Sequence, residues 1–248
     1  MTTATKHITD IRSMNFGLLS IEAEPYTAPM KKGFKKCGVR YEGHPLTVQT
    51  PRMRLPFHYR EDDTSATGAI LSSTYATVFE EFLTKLDEQI INSAETNTAS
   101  WFGKALTRDT IVGMYKGPYR PPEKYAPSFK MKFNKNEDGT CGFDVFDDAT
   151  RERREMTLEQ CFERGSEIRA IVECTGVWLV NTNCGYNWRI KQLIVQPPPN
   201  KDYAFIDDLD DPVAVSGVSG VSVAVTGAVT GAVSAAPAAA HAPVSAFA

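Results

Sequence analysis

Apolar and polar positions change their spacing several times along this chain. Between residues 16 and 60, short apolar runs (FGLLSIEA, CGVRYEG, PLTVQT and MRLPFHY) are broken by Gly and Pro. Runs of that length between turn-forming residues predict strands. The polar stretch EDDTSATG marks a loop, and the period then switches. In YATVFEEFLTKLDEQIINSA, Val78, Phe79, Phe82, Leu83, Leu86, Ile90 and Ile91 recur three and four apart. This spacing gathers them on one face of an amphipathic helix over about 74–93, with Glu80, Glu81, Lys85 and Glu88 mostly on the other side.

Alternation resumes after residue 125. Phe129, Met131 and Phe133 alternate with Lys130 and Lys132, the turn sequence NEDG follows, and CGFDVFD completes an expected hairpin over 125–146. Thr157 and Gln160 form a capping box and Gly165 a stop, so TLEQCFER predicts one short helix. EIRAIVEC, GVWLVN and YNWRIKQLIV predict three further strands, which Pro197, Pro198 and Pro199 terminate. The fold class is therefore mainly β.

In YNWRIKQLIV a period of two puts Tyr186, Trp188, Ile190, Gln192 and Ile194 on one face and Asn187, Arg189, Lys191, Leu193 and Val195 on the other. The first set suits a core, which places Trp188 inside and Arg189 and Lys191 outside. GVWLVN is apolar on both faces, so Trp178 is left undecided.

Composition changes the picture at the ends. Residues 1–15 read as a flexible arm, with no apolar run of a secretory leader. Residues 202–248 hold five acids and no Lys or Arg, so the net charge of −3 divides into +2 for the first 201 residues and −5 for the rest. From Pro212 onward the chain is Val, Ala, Gly, Ser, Thr and Pro with short repeats, VSG twice and TGAV twice. Gly and Ser interrupt it every few residues, which argues for a disordered low-complexity tail rather than a membrane anchor. The organisation expected is an arm at 1–15, a domain at 16–200, and an acidic motif plus disordered tail at 201–248.

Five cysteines without a Cys-x-x-Cys pair, and four unclustered histidines, point to buried thiols in a reducing compartment and to no zinc site. No phosphate-binding loop, dinucleotide-binding glycine pattern or G-x-S-x-G elbow occurs, so neither an enzyme nor a cofactor is expected. Asp147 and Asp148 could form a metal pair, but adjacent acids in FDDATRERRE read first as a solvated turn.

The chain does offer aromatic residues interleaved with cations. Trp101, Phe102, Tyr115, Tyr119 and Tyr125 stand among Lys104, Lys116, Arg120 and Lys124 in a largely irregular region, and Lys130 and Lys132 follow on the expected hairpin strand. Arg52, Arg54 and Phe57, and in part KKGFKK at 31–36, have the same character. A base can stack on an aromatic face, and phosphates need cations at intervals, so a groove of this composition suits single-stranded nucleic acid. The alternative is that the rings are core and the lysines are solvated; the sequence leaves both standing.

The order of short motifs is more specific. PRMR-x-PF, then the long helix, SWFGK, Y-x-PSFKMK, FDVFD and finally AIVECTGVWLVNTNCGYNWRIKQ run in series over residues 37–196. This series resembles the single-stranded DNA-binding proteins of nucleocytoplasmic large DNA viruses, those of algal viruses in particular. That family is itself remotely similar to the T-seven type of phage replication protein. The resemblance implies an OB-like barrel carrying the helix as an inserted element, binding single-stranded DNA during viral replication, recombination and repair. With the interleaved aromatics and cations and the strand alternation, the DNA-binding set expected is Arg52, Arg54, Trp101, Phe102, Lys104, Tyr115, Lys116, Tyr119, Arg120, Lys124, Lys130, Lys132, Arg189 and Lys191. The resemblance further implies that Phe205, Asp207, Asp208, Asp210 and Asp211 form an acidic partner-binding motif, with a viral DNA polymerase or helicase-primase as its partner. Here the acidic motif is internal, followed by a neutral tail. A homodimer and an intracellular replication site, host nucleus or cytoplasm, fit the same picture, and no membrane is expected. A virion structural or interaction protein that uses the β-domain as a packing module is the alternative reading.

Overall fold

The computed structural model describes residues 7–27, 34–180 and 183–198. Seven short strands come first: β1 (Leu19–Ile21), β2 (Tyr26–Thr27), β3 (Phe34–Cys37), β4 (Val39–Tyr41), β5 (His44–Pro45), β6 (Thr47–Gln49) and β7 (Met53–Arg54). Then β8 (Ser65–Ile70) leads into the helices α1 (Thr74–Thr96), α2 (Thr98–Phe102) and α3 (Arg108–Met114). They are followed by β9 (Tyr115–Lys116), β10 (Tyr119–Arg120), β11 (Ser128–Lys132), β12 (Asp144–Phe146), β13 (Arg153–Arg154) and α4 (Leu158–Cys161). The hairpin of β14 (Glu167–Val180) and β15 (Asn183–Gln196), 14 residues in each strand, closes the described part.

This hairpin organises the fold. Ile168, Ala170, Val172, Cys174, Val177 and Leu179 of β14 are buried, as are Tyr186, Trp188, Ile190, Leu193 and Val195 of β15. Two irregularities interrupt the alternation. Cys174 lies opposite Trp188 and Val177 opposite Tyr186, so Thr175 and Gly176 together face Asn187. Gly176 has φ 100°, and a Cβ there would stand 2.4 Å from the Cys37 carbonyl oxygen. Only glycine fits such a bulge. The glycine that reads in sequence as a break between two strands is thus a bulge inside one. In the second irregularity Ile171 faces Gln192 and Val172 faces Ile190, which leaves Lys191 unpaired in the ladder. One extra residue reverses the phase of everything beyond it. Leu193 and Val195 turn inward, and Gln192 and Ile194 outward, the reverse of the period-two expectation.

Pairings run in a circuit. β14 pairs with β7, β7 with β8, β8 with β11, and β11 returns to β15 where Lys132 meets Arg189. Met53, Ile70, Phe129 and Met131 fill its interior with the inward hairpin residues. β3 and β6 extend the sheet along β14, while β9 and β12 lie along β15. The segment 125–146 forms the expected hairpin only at its tip, where Lys135 and Cys141 make an isolated antiparallel bridge. Its turn exists, with Asn136 N–H donating to the Thr140 carbonyl oxygen and Gly139 at φ 82°. However, β11 and β12 each run parallel to β15 and pair with it rather than with each other.

Helix α1 covers one side of the core. The Ser73 hydroxyl oxygen accepts from Ala76 N–H and starts the helix, which runs to Thr96, past the expected end. Phe79, Phe82, Leu83, Leu86 and Ile90 are buried. Phe79 meets Phe129 edge-on at 5.2 Å, and Phe82 meets Trp188 at 6.2 Å. At roughly 1.5–3 kcal/mol per buried large side chain, this face accounts for the docking of the helix. The region after it is less irregular than its composition suggests, because Thr107 caps α3 through Thr110 N–H. The described part of the expected N-terminal arm is also packed: Thr9 N–H donates to the Thr47 carbonyl oxygen and Ile11 is buried. The acidic motif and the tail lie outside the described residues.

Candidate functional site

Rings that the sequence offers as stacking platforms prove to be tied into the fold, Trp101 buried and Phe102, Tyr115 and Tyr119 half-buried. Trp101 is 2% exposed and its indole N–H donates to the Ala23 carbonyl oxygen at 2.9 Å. Phe102 packs edge-on against it. Tyr115 stacks beside Tyr186 and donates its hydroxyl to Asp87 of α1 at 2.7 Å. Tyr119 lies in register with the buried Phe129 and hydrogen-bonds Glu80 of the same helix. Trp101 therefore offers no face to a base, and the two tyrosines tie β9 and β10 to α1. Burial drives the Tyr115 hydroxyl pKa upward and, against the Tyr115 hydrogen bond, that of Asp87 as well. Cys37 and Cys174 are pushed up to about 12 by burial, as expected of packed thiols.

The outward face of the β14–β15 hairpin presents a different surface. Registered residues on neighbouring strands share a face. Tyr26 of β2 faces Lys36 of β3, Lys36 faces Trp178 of β14, Trp178 faces Gly185 of β15, and Gly185 faces Lys116 of β9. Trp178 is half-buried, and Tyr26 is 50% exposed. The ring of Trp178 lies over Gly185, where a Cβ would come within 2.8 Å of Cζ2. A flat ring with lysines on both sides results from five strands in register.

Cations continue along the same face. Arg189 is flanked by Glu173 of β14 and Lys132 of β11, and Lys191, on its bulge, pairs with Glu173 at 3.1 Å. Beyond them Phe146 of β12 stands next to Ile194, half-buried and outward. Asp148 receives Arg52, Arg151 and Arg169 at 3.3, 3.3 and 2.8 Å, and Glu167 receives Arg54 at 2.7 Å. Four arginines thus share two carboxylates, leaving positive charge in excess. From the Trp178 row to the Phe146 row the face runs about 30 Å at roughly 3.3 Å per residue.

Of the residues singled out in sequence, Lys116, Lys132, Arg189 and Lys191 are brought together here, with Arg52 and Arg54 at the far end. Arg120 is registered with Ser128 beside exposed Lys130, on the neighbouring strands β10 and β11. Lys130 borders a cleft with Phe57, which is 71% exposed. Lys104 lies in a loop after α2, and Lys124 stands over the Tyr125 ring at 5.7 Å. Sequence reasoning missed Tyr26, Phe146, Arg151 and Arg169, and left Trp178 open. Neighbours across the sheet, rather than neighbours in sequence, define this site.

Residues 70–207 match the model of the family of unknown function DUF5871. The chain belongs to this family. The DUF5871 span begins at the last residue of β8, so it contains Lys116, Phe146, Trp178 and Arg189, whereas Tyr26 and Lys36 precede it. Among solved structures, this member of DUF5871 is similar to gp2.5, a single-stranded DNA binding protein encoded by bacteriophage T7, with TM-score 0.45, 9% identity, and coverage of 65% of this chain and 97% of that one. It is also similar to the single-stranded DNA-binding protein from bacteriophage Enc34. The C-terminally truncated form gives TM-score 0.39 and 12% identity, covering 71% and 97% of the two chains. The form in complex with single-stranded DNA gives TM-score 0.36 and 14% identity, covering 70% and 94%. No curated protein sequence matches significantly.

Proposed function

We propose that this chain binds single-stranded DNA, largely without sequence specificity, along the outward face of the β14–β15 hairpin. The observation that carries this reading is the row of Tyr26, Lys36, Trp178 and Lys116, in which a half-buried indole sits between two lysines. A base stacked on an aromatic ring contributes roughly 1–3 kcal/mol whatever its identity. Phosphates on either side of that base would meet Lys36 and Lys116, and the strand would continue past Arg189 and Lys132 toward the arginines around Asp148. Neutralising phosphates releases counterions, so binding must weaken as salt rises.

The motif series over residues 37–196 supports the finer reading. The strand so held is protected and organised during viral DNA replication, recombination and repair, at a replication site inside the host cell. Phe205, Asp207, Asp208, Asp210 and Asp211 then recruit a viral DNA polymerase or helicase-primase. Intrinsic fluorescence tests the DNA-binding step. Trp101 and Trp188 are buried, whereas Trp178 is not. An unstructured oligonucleotide should quench the emission of the native chain, and Trp178→Phe should abolish that quenching. Quenching that persists in Trp178→Phe would place the strand elsewhere.

A further inference from the structure

The phase reversal at Lys191 creates a feature that the Trp178 row does not use. Because Gln192 and Ile194 turn outward, they join Ile171 and Phe146 around an open cavity of about 160 Å³ on the same face of the sheet. Its floor is apolar, from Ile171 and Ile194. Phe146 forms one wall, and among the described residues it has no ring partner. Arg169 and Arg151 border the cavity with their guanidinium groups drawn together on Asp148 at 2.8 and 3.3 Å. Arg151 sits at φ 64°, a left-handed conformation unusual for a residue with a side chain. It is held there by its N–H donating to the Asp147 carbonyl oxygen, and Asp147 is itself fixed by the Ala149 and Thr150 N–H groups. The amides of Gln49 and Gln192 complete the lining, and neither has a side-chain hydrogen-bond partner among the described residues.

We infer that this cavity takes one unstacked nucleobase of the bound strand. An apolar floor, a flat ring and neighbouring guanidinium groups suit a heterocycle with its phosphates beside it. The local excess of arginine over carboxylate matches that charge. A glutamine amide presents a carbonyl acceptor and N–H donors, and turning it by half a revolution exchanges them. Gln49 and Gln192 can therefore meet the donor–acceptor edge of any base, which makes the cavity tolerant of sequence. The cavity also lies on the continuation of the Trp178 face, about 30 Å from the indole at roughly 3.3 Å per residue. The inference rests on the proposed DNA-binding reading and adds a second, inserted base to the stacked one.

The test uses the full chain with labelled isoleucine methyl groups and deoxyadenosine monophosphate as probe. The nucleotide is expected to shift the methyl resonances of Ile171 and Ile194 at millimolar concentration. Phe146→Ala should remove those shifts, and so should Gln192→Leu, which keeps the ring and the volume. Methyl groups that do not respond, or shifts that survive both substitutions, overturn the cavity. A parallel titration with an oligonucleotide separates the two ideas. Oligonucleotide binding that depends on Trp178 while the isoleucine methyls stay unmoved overturns the inserted base and leaves strand binding intact. Methyl shifts with the nucleotide in a chain that binds no oligonucleotide keep the cavity and overturn the strand reading.

Discussion

Trp178 lies directly across the hairpin from Gly185, and the missing side chain of the glycine is what leaves room for the indole beside β15. A Cβ on Gly185 would stand 2.8 Å from the ring and 2.2 Å from the Lys116 carbonyl oxygen. Gly185→Ala must therefore lift the indole and push β9 away. The expected result is destabilisation of about 1–3 kcal/mol, as for other overpacked sites, together with weakened oligonucleotide binding. Urea unfolding and a binding titration on the same preparation check both.

Trp101 gives the contrasting case. Its burial and its indole hydrogen bond to Ala23 make it a core residue. Trp101→Ala should cost about 3–5 kcal/mol of stability. The milder Trp101→Phe, measured below its unfolding transition, should bind an oligonucleotide as the native chain does. Weakened binding by a fully folded Trp101→Phe would return this ring to the interface.

Lys36 and Lys116 flank the indole, whereas Lys85 is exposed on α1 and belongs to no strand of that row. Lys36→Glu and Lys116→Glu should each weaken binding. Each should also reduce the slope of log affinity against log salt by about 0.7 for every phosphate that is no longer neutralised. Lys85→Glu should change neither. Titrations at three salt concentrations separate these outcomes.

Asp87 makes one element of stability depend on pH. Burial raises its pKa from the ordinary 3.8, opposed by the hydrogen bond from Tyr115. The folded chain therefore holds this proton more tightly than the unfolded chain. Its contribution is fully present below the unfolded pKa and is lost as pH rises through the folded value. The stability of Asp87→Asn relative to the native chain should thus increase as pH rises from the ordinary carboxylate range of about 4. Unfolding free energies measured over that rise, with the variant flat at this site, check the sign.

Much of the fold is legible locally. The spacing of Phe79, Phe82, Leu83 and Leu86 shows α1, and Thr157 with Gln160 shows the cap of α4. Alternation alone assigns Trp188 to the core, where it is found. The features that differ from expectation depend on non-local pairing. A glycine at a bulge and a glycine at the start of a new strand look alike in sequence, because the Cys37 carbonyl that demands glycine at 176 is far away along the chain. Lys191 gives no local sign that it interrupts the ladder, so the outward turn of Gln192 and Ile194 has no signature in the sequence. The same limit governs the site. Trp101 sits in an aromatic and basic stretch yet is packed, and Trp178 sits in an apolar stretch yet faces outward between lysines contributed by β3 and β9.

On the proposed reading, Trp178 is the base platform of a cationic single-strand site. The direct test is titration of an unstructured oligonucleotide with the native chain and with Trp178→Ala, over a range of salt. Salt-sensitive binding is expected at micromolar protein or below. Trp178→Ala is expected to weaken that binding by about 5- to 150-fold, the equivalent of one lost stacked base at roughly 1–3 kcal/mol, without loss of fold. Equal affinity of the two proteins, or no salt-sensitive binding by the native chain at micromolar concentration, would contradict it.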